Sequence, residues 1–114
     1  MVSNQNTPIV LINGIGPSML NNPRRAVLEL RRLSPEELRT ITQNAPIINY
    51  IRHAGTTQIL SELLQTALTP NNGLYAYRGE RIILITLATP QRGQEATPRL
   101  EDLVIFEVIV HEHE

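Results

Sequence analysis

The sequence predicts an α/β fold: a single domain in which a mixed sheet of about five strands has helices packed on it. Three observations lead to this prediction. Short apolar, often β-branched runs alternate along the chain with two amphipathic stretches that begin at capping residues. The 114 residues suit one domain, and 41% hydrophobic with 18% charged residues is typical of a globular protein. We therefore assign residues 1–114 to one domain and expect flexible ends at 1–6 and 111–114.

Two strands are predicted in the first third of the chain. Thr7–Asn13 (TPIVLIN) is a short apolar run bounded by polar residues and glycine, which is typical of a buried strand. It leads into the loop Asn13–Ser18, which contains two glycines and a proline. Ala26–Leu33 alternates enough to form the second strand, with Leu28 and Leu30 expected on its inner face.

The first helix has a clear start signal. Ser34 precedes a proline, and Glu37 follows three residues later, which is the pattern of a capping box with proline at the first helical position. We expect this helix to run to about Gln43, because Asn-Ala-Pro follows it. The next run, Ile47–Arg52, is apolar and β-branched and favours a strand, while a helical extension stays open.

The remaining elements are predicted by apolar spacing and by turn residues. A second helix is expected over TQILSELLQTAL, capped by Thr56 or Thr57. Leu74–Tyr77 and Arg81–Thr89 flank an Arg-Gly-Glu turn and are expected to form a hairpin, the second run being a central strand. A polar loop, a short helical turn and a final strand are then expected at Pro90–Pro98, Leu100–Leu103 and Val104–Val110.

Composition excludes several classes of function. The chain has no cysteine, which excludes a disulfide scaffold, a thiolate zinc site and a cysteine nucleophile. It has no signal-type apolar stretch at its start and no apolar run of about 20 residues, so we expect a cytoplasmic protein without a membrane partner. The net charge of −1 argues against binding of long nucleic acids. All ten basic residues are arginines, which suit phosphate recognition, although compositional bias of the source genome is the favoured explanation.

His53 is the first candidate for chemistry. It lies between a predicted strand and a predicted helix start, where free amides and the helix dipole can hold a small phosphate. A histidine beside a docked phosphate can donate a proton near neutral pH. The alternative is a loop histidine without a role.

Three further groups are candidates. Glycines in the Asn13–Ser18 loop allow backbone amides to approach a phosphate, although, taken alone, the loop is better explained as a plain tight turn. Arg92 can bind phosphate and Glu95 can orient it or a ribose hydroxyl, the alternative being an exposed pair on a solvated loop. For His111 and His113 a loose chain end is favoured over a metal site, because further ligands are not apparent.

The order of these motifs resembles the viral ring nuclease family. The shared motifs are N-x(4)-S-M-L after the first strand, I-x-H-x-x-T before the second helix, Q-R-x-x-E after the central strand, and F-E-V-I in the last strand. Members are small homodimeric anti-CRISPR proteins that degrade cyclic tetra-adenylate, the messenger of type III CRISPR defence. The resemblance covers roughly Ile9 to Val110.

The resemblance implies a set of site residues and a reaction. The family's catalytic histidine matches His53, with Arg92 and Glu95 assisting it. The substrate-binding positions are Asn13, Gly14, Gly16, Ser18, Gly55, Thr56 and Arg92. The implied reaction uses no metal or cofactor: a ribose 2′-OH attacks the adjacent phosphorus, and the products are short linear adenylates with 2′,3′-cyclic phosphate ends.

The sequence also departs from the family pattern around the expected ligand. Two serines of the better-known members fall on Gly16 and Gly55, and a family arginine falls near Gly73, with Arg78 or Arg52 as possible substitutes. These departures keep two alternatives open. The protein can be a sponge that binds a cyclic nucleotide without cutting it, or a protein-interaction domain that offers an edge strand.

Overall fold

A computed structural model describes residues 7–88 and 98–113, with side chains as far as His111. It contains five strands, two α-helices and two 3-10 turns. The strands are β1 (Ile9–Ile12), β2 (Ala26–Leu33), β3 (Ile47–Asn49), β4 (Arg81–Leu87) and β5 (Leu103–His113). The helices are α1 (Pro35–Thr42) and α2 (Ala54–Leu64), and the 3-10 turns are Pro17–Leu20 and Leu100–Asp102. The predicted single α/β domain with a five-stranded mixed sheet is confirmed.

The sheet has the strand order β2-β5-β4-β1-β3, so β4 is central as predicted. β1 is parallel to both β3 and β4, while β5 is antiparallel to β4 and β2. The carboxyl ends of β1, β3 and β4 therefore lie along one edge of the sheet, which we call the carboxyl edge. In open α/β sheets, ligands bind outside such an edge.

Both α-helices pack on the same face of the sheet. Leu38 of α1 and Leu60 of α2 are fully buried there. They contact alternate strand residues, because successive side chains of a strand point to opposite faces. The sheet residues of this face include Ile9, Leu11, Ile83, Ile85 and Ile105. The position of α2 over this core fixes the direction of its first turn at the carboxyl edge.

The capping box of α1 forms as predicted. The Glu37 backbone amide donates to Ser34 Oγ at 3.1 Å, and the Ser34 amide donates to Glu37 Oε1 at 2.7 Å. The Ser34 amide, followed by its hydroxyl, holds the pKa of Glu37 below its usual value. The helix ends at Thr42, one residue before the predicted end.

The predicted hairpin at Leu74–Tyr77 is wrong, since that segment is not a strand. Instead it crosses the second face of the sheet, where Tyr75 is buried. The Tyr77 amide donates to the Met19 carbonyl at 2.7 Å, and Tyr75 Oη donates to Glu80 Oε1 at 2.6 Å. Burial, reinforced by that carboxylate, raises the pKa of Tyr75. β4 does not pair with Leu74–Tyr77; it lies between β1 and β5, which occupy both of its edges.

Strand β3 is shorter than the predicted Ile47–Arg52. It ends at Asn49, whose side-chain oxygen accepts a hydrogen bond from the Ile51 amide at 3.1 Å. The Tyr50 amide still donates to the Leu11 carbonyl of β1 at 2.8 Å, while the Asn49 side chain occupies the Ile51 amide. The chain then turns towards α2.

The β2–β5 pair extends beyond the helical cover. β2 is an edge strand, and Leu30 is 52% exposed, so its expected place on the inner face is wrong. Leu28 is partly buried, in agreement with the sequence. β5 continues three residues past its predicted end, through His113. His111 Nε2 lies 2.7 Å from Glu29 Oε1 across this pair.

Candidate active site

His53 is the N-cap of α2. Its backbone is extended, with φ −70° and ψ 119°, and its Nδ1 accepts a hydrogen bond from the Thr56 amide at 3.1 Å. The predicted cap at Thr56 or Thr57 is therefore wrong, because the imidazole itself satisfies the amide that a cap satisfies. α2 begins at Ala54, earlier than predicted, and ends at Leu64 rather than Leu68.

The cap orients the imidazole. Because Nδ1 accepts from the Thr56 amide, a neutral ring carries its proton on Nε2. Among the described residues, Nε2 has no hydrogen-bond partner. The side chain is exposed, so Nε2–H is available to a ligand.

Two buried threonines hold the first turn of α2 in place. Thr57 is 1% exposed, and its hydroxyl donates to the His53 carbonyl at 2.9 Å. Thr56 is 5% exposed, and its hydroxyl oxygen lies 3.1 Å from His53 Nδ1. The hydroxyl of Thr56, a residue expected to bind substrate, thus contacts the imidazole.

Gly55 leaves space that the imidazole uses. A Cβ atom at this position would lie 3.1 Å from His53 Cε1 and 3.1 Å from Pro98 Cδ. Both distances are shorter than ordinary van der Waals contact, so a larger residue would require the ring or the proline to move. The glycine therefore permits His53 to lie close to the helix start, beside Pro98.

The loop after β1 leaves from the same edge of the sheet as His53. Asn13, Gly14 and Ser18 are exposed, and Gly16 is partly buried with an extended backbone, φ −144°. A Cβ atom at Gly14 or Gly16 would have no heavy atom within 4 Å. Neither glycine is needed for steric reasons, and the loop surface beside them is open.

Arg92 and Glu95 lie outside the described residues, so their positions stay predictions. The flanking residues are described. Ala88 follows β4 at the carboxyl edge and donates its amide to the Asp102 carbonyl at 2.8 Å. Pro98, after the loop, is buried next to Gly55. Both ends of the connection that carries Arg92 and Glu95 are therefore anchored at the edge where His53 lies.

The two arginines considered as substitutes have different positions. Arg52 is exposed and directly precedes His53 at the carboxyl edge. Arg78 lies at the opposite edge, just before β4 begins. Its backbone amide donates to Glu80 Oε1 at 2.8 Å. Within one chain, the structure brings Arg52 to the site and not Arg78.

A cluster of metal-binding side chains and a membrane-spanning helix are both absent from residues 7–88 and 98–113. In these ranges, no three histidine, aspartate or glutamate side chains are grouped closely enough to hold a metal ion. No helix within them is both long and apolar enough to cross a membrane.

The geometry suits an anion. By helix geometry, the amides of Ala54 and Gly55 have no partner inside α2, and the positive end of the helix dipole lies beside them. The Nε2–H of His53 is a further donor at the same helix start. Together these groups can bind a phosphate and place a proton donor next to it. The sequence placed His53 here but missed that its own ring is the cap, although the i, i+3 spacing to Thr56 is typical of capping.

Comparisons with known proteins agree with the fold. The STIV B116-like family model matches residues 9–102. The structure is similar to that of B116 of Sulfolobus turreted icosahedral virus, with a TM-score of 0.63 and 19% sequence identity over 89% of this chain and 97% of that chain. A comparison with curated proteins gives no match. Because the family model spans most of the sequence, the chain belongs to the STIV B116-like family.

Proposed function

We propose that this protein is a metal-independent ring nuclease that cleaves cyclic tetra-adenylate in the cleft of a homodimer. It would then act in the cytoplasm of an infected host, as a viral or prophage protein that counters type III CRISPR signalling. The observation on which the proposal rests is the exposed imidazole of His53, whose Nδ1 is bound to the helix start while Nε2 has no partner among the described residues.

A phosphate of the ring would bind at the first turn of α2. The free amides of Ala54 and Gly55 donate to its oxygens, and the dipole of α2 favours its charge. The exposed Asn13–Ser18 loop supplies further polar groups at the same edge. A small enclosed ligand needs only such a local set of donors, which agrees with a net charge of −1.

The reaction is an internal transesterification. The ribose 2′-oxygen attacks phosphorus and gives up its proton to solvent water, while the bond from phosphorus to the 5′-oxygen breaks. Protonated His53 gives its Nε2 proton to that departing oxygen. Arg92 neutralises charge that develops on the phosphorane, and Glu95 positions Arg92 or the ribose. The products are linear adenylates with 2′,3′-cyclic phosphate ends.

A dimer explains how one ring is cut into short products. Two-fold symmetry would place one His53 from each chain at opposite phosphates of a four-nucleotide ring. Each site then acts on its own phosphate, and two cuts release two dinucleotides.

A non-catalytic sponge is the second candidate function. It is favoured by the glycines at positions 16 and 55, where the better-known ring nucleases have serine. Gly55 itself supplies no hydroxyl near the imidazole, and a neutral His53 can hold a phosphate through Nε2–H without transferring a proton. In this case the ring would be bound and released intact.

Product analysis separates the two candidates. The protein is incubated with cyclic tetra-adenylate in EDTA, denatured, and the nucleotides are separated by liquid chromatography. Linear fragments with 2′,3′-cyclic phosphate ends support the nuclease, whereas intact ring released from the protein supports the sponge. A thermal-shift panel of cyclic nucleotides is run in parallel, and no stabilisation by any of them would favour a protein-interaction domain instead.

A further inference from the structure

We propose that Thr56 is a positioning residue that holds the His53 imidazole in place before and after proton transfer. The inference rests on the proposed function, since it concerns the acid of that reaction. Its basis is that two atoms of Thr56 lie at the same distance from one ring nitrogen. The backbone nitrogen and the hydroxyl oxygen are each 3.1 Å from His53 Nδ1.

The two atoms of Thr56 differ in what they can do. The amide can only donate a hydrogen bond, so it serves an unprotonated Nδ1. The hydroxyl can donate or accept, so it also serves an Nδ1 that carries a proton. Nδ1 of His53 therefore has a possible partner on Thr56 whether or not it is protonated, and protonation exchanges the bond from the amide for a bond to the hydroxyl.

Proton transfer requires Nδ1 to exchange the Thr56 amide for the Thr56 hydroxyl as its hydrogen-bond partner. The imidazolium of His53 carries a proton on each nitrogen, and Nε2 gives its proton to the departing 5′-oxygen. The ring that remains is neutral and protonated on Nδ1, so it cannot accept from the Thr56 amide. Only the Thr56 hydroxyl can then accept from Nδ1–H. It keeps Nε2 directed at the ligand, ready to take up the next proton.

The surroundings leave this role to Thr56. Thr56 is 5% exposed and β-branched, and β-branching restricts the rotamers that its side chain can adopt. Gly55 and Pro98, the uncharged neighbours near the ring, have no side-chain donor or acceptor. Arg52 precedes His53 in the chain, and among the described residues the imidazole forms no ion pair.

The test compares Thr56→Val, which keeps the amide and removes the hydroxyl, with Thr56→Ser, which restores it. Thr57→Val is the matched control, because it removes a buried hydroxyl from the same turn that bonds to the His53 carbonyl rather than to the ring. NMR of 15N-labelled histidine is recorded at an acidic pH at which the 15N shifts themselves show that the ring carries both protons. We expect a Nδ1–H signal protected from exchange in wild type, Thr56→Ser and Thr57→Val, and its loss in Thr56→Val.

Kinetics give a second readout on cyclic tetra-adenylate. In Thr56→Val, kcat should fall about 10- to 100-fold, the loss typical of one hydrogen bond to a charged group, with KM unchanged and with rescue by Thr56→Ser. A Thr56→Val protein that keeps the protected signal would overturn the proposal, and so would one that cleaves the ring with the wild-type kcat.

The NMR readout is independent of the proposed function. If the wild-type protein cleaves no ring, the nuclease proposal fails, while the spectra still decide whether Thr56 holds the ring. If Thr56→Val does not fold, the wild-type spectrum decides: a protonated His53 whose Nδ1–H exchanges freely with water would refute the role of Thr56.

Discussion

Capping and catalysis by His53 can be separated with two substitutions at that position. His53→Ala removes the hydrogen bond from the Thr56 amide to Nδ1, which is 3.1 Å long. His53→Asn keeps a cap, because an asparagine side-chain oxygen accepts the same amide and asparagine is among the best N-cap residues. Neither variant retains a group that can act as a general acid near neutral pH.

The expected stability loss follows from the single bond involved. Loss of an N-cap costs about 0.5–2 kcal/mol, so His53→Ala should lower the free energy of unfolding by about 1 kcal/mol. For a domain of this size that corresponds to a fall in Tm of roughly 4–6 °C. His53→Asn should stay within about 0.5 kcal/mol of wild type.

Thermal and urea unfolding of the three proteins provide the assay. A His53→Ala protein as stable as wild type would show that the imidazole is not the cap. An Asn variant as unstable as the Ala variant would show that more than the cap has been lost. Either result would contradict the reasoning on which the orientation of Nε2 depends.

Three further predictions concern two glycines and the segment that crosses the second sheet face. Gly16→Ser should change stability by no more than ~0.5 kcal/mol and leave the His53 ring signals in NMR unchanged, because its Cβ meets open space. Gly55→Ser should shift those ring signals, since its Cβ would lie 3.1 Å from the His53 ring; unchanged signals would contradict this. Tyr75→Phe should lower stability at pH 7 by about 1–2 kcal/mol, because it removes a hydrogen bond to the Glu80 carboxylate. Burial acts to raise the pKa of Glu80, but the hydrogen bonds from Tyr75 and the backbone outweigh it, so the pKa lies below its ordinary value. The stabilisation is therefore present above the ordinary glutamate pKa and is lost as the pH falls through the lowered value. The difference in Tm between wild type and Tyr75→Phe should therefore shrink on acidification, and a constant difference would refute the assignment.

Sequence patterns predict those elements whose stabilising contacts lie between residues that are close in the chain. The capping box of Ser34 formed as expected because its two bonds lie within four residues. The central strand could be predicted because Arg81–Leu87 is almost continuously apolar, as expected of a strand in the middle of a sheet. The strand predicted at Leu74–Tyr77 is wrong because the segment's hydrogen-bond partners, such as the Met19 carbonyl, are distant in sequence.

The candidate site also has features that the sequence predicts and features that it does not. The placement of His53 between a strand and a helix could be predicted from flanking residues. That its ring caps the helix could not, because histidine is not among the preferred N-cap residues. The contact of Gly55 with Pro98 depends on a chain segment about 40 residues away, so no local pattern indicates it. Leu30 was expected inside because alternation reports strand periodicity, not whether an element covers that face.

The most direct test of the central claim is the rate at which wild type and His53→Asn cut cyclic tetra-adenylate under single-turnover conditions in EDTA, with binding measured in parallel. The account predicts that wild type releases linear fragments with 2′,3′-cyclic phosphate ends. His53→Asn should fold and bind the ring with cleavage at least ~100-fold slower, since it keeps the cap and lacks the acid. Cleavage by His53→Asn at the wild-type rate would contradict the account, as would wild-type activity that EDTA abolishes and added metal restores.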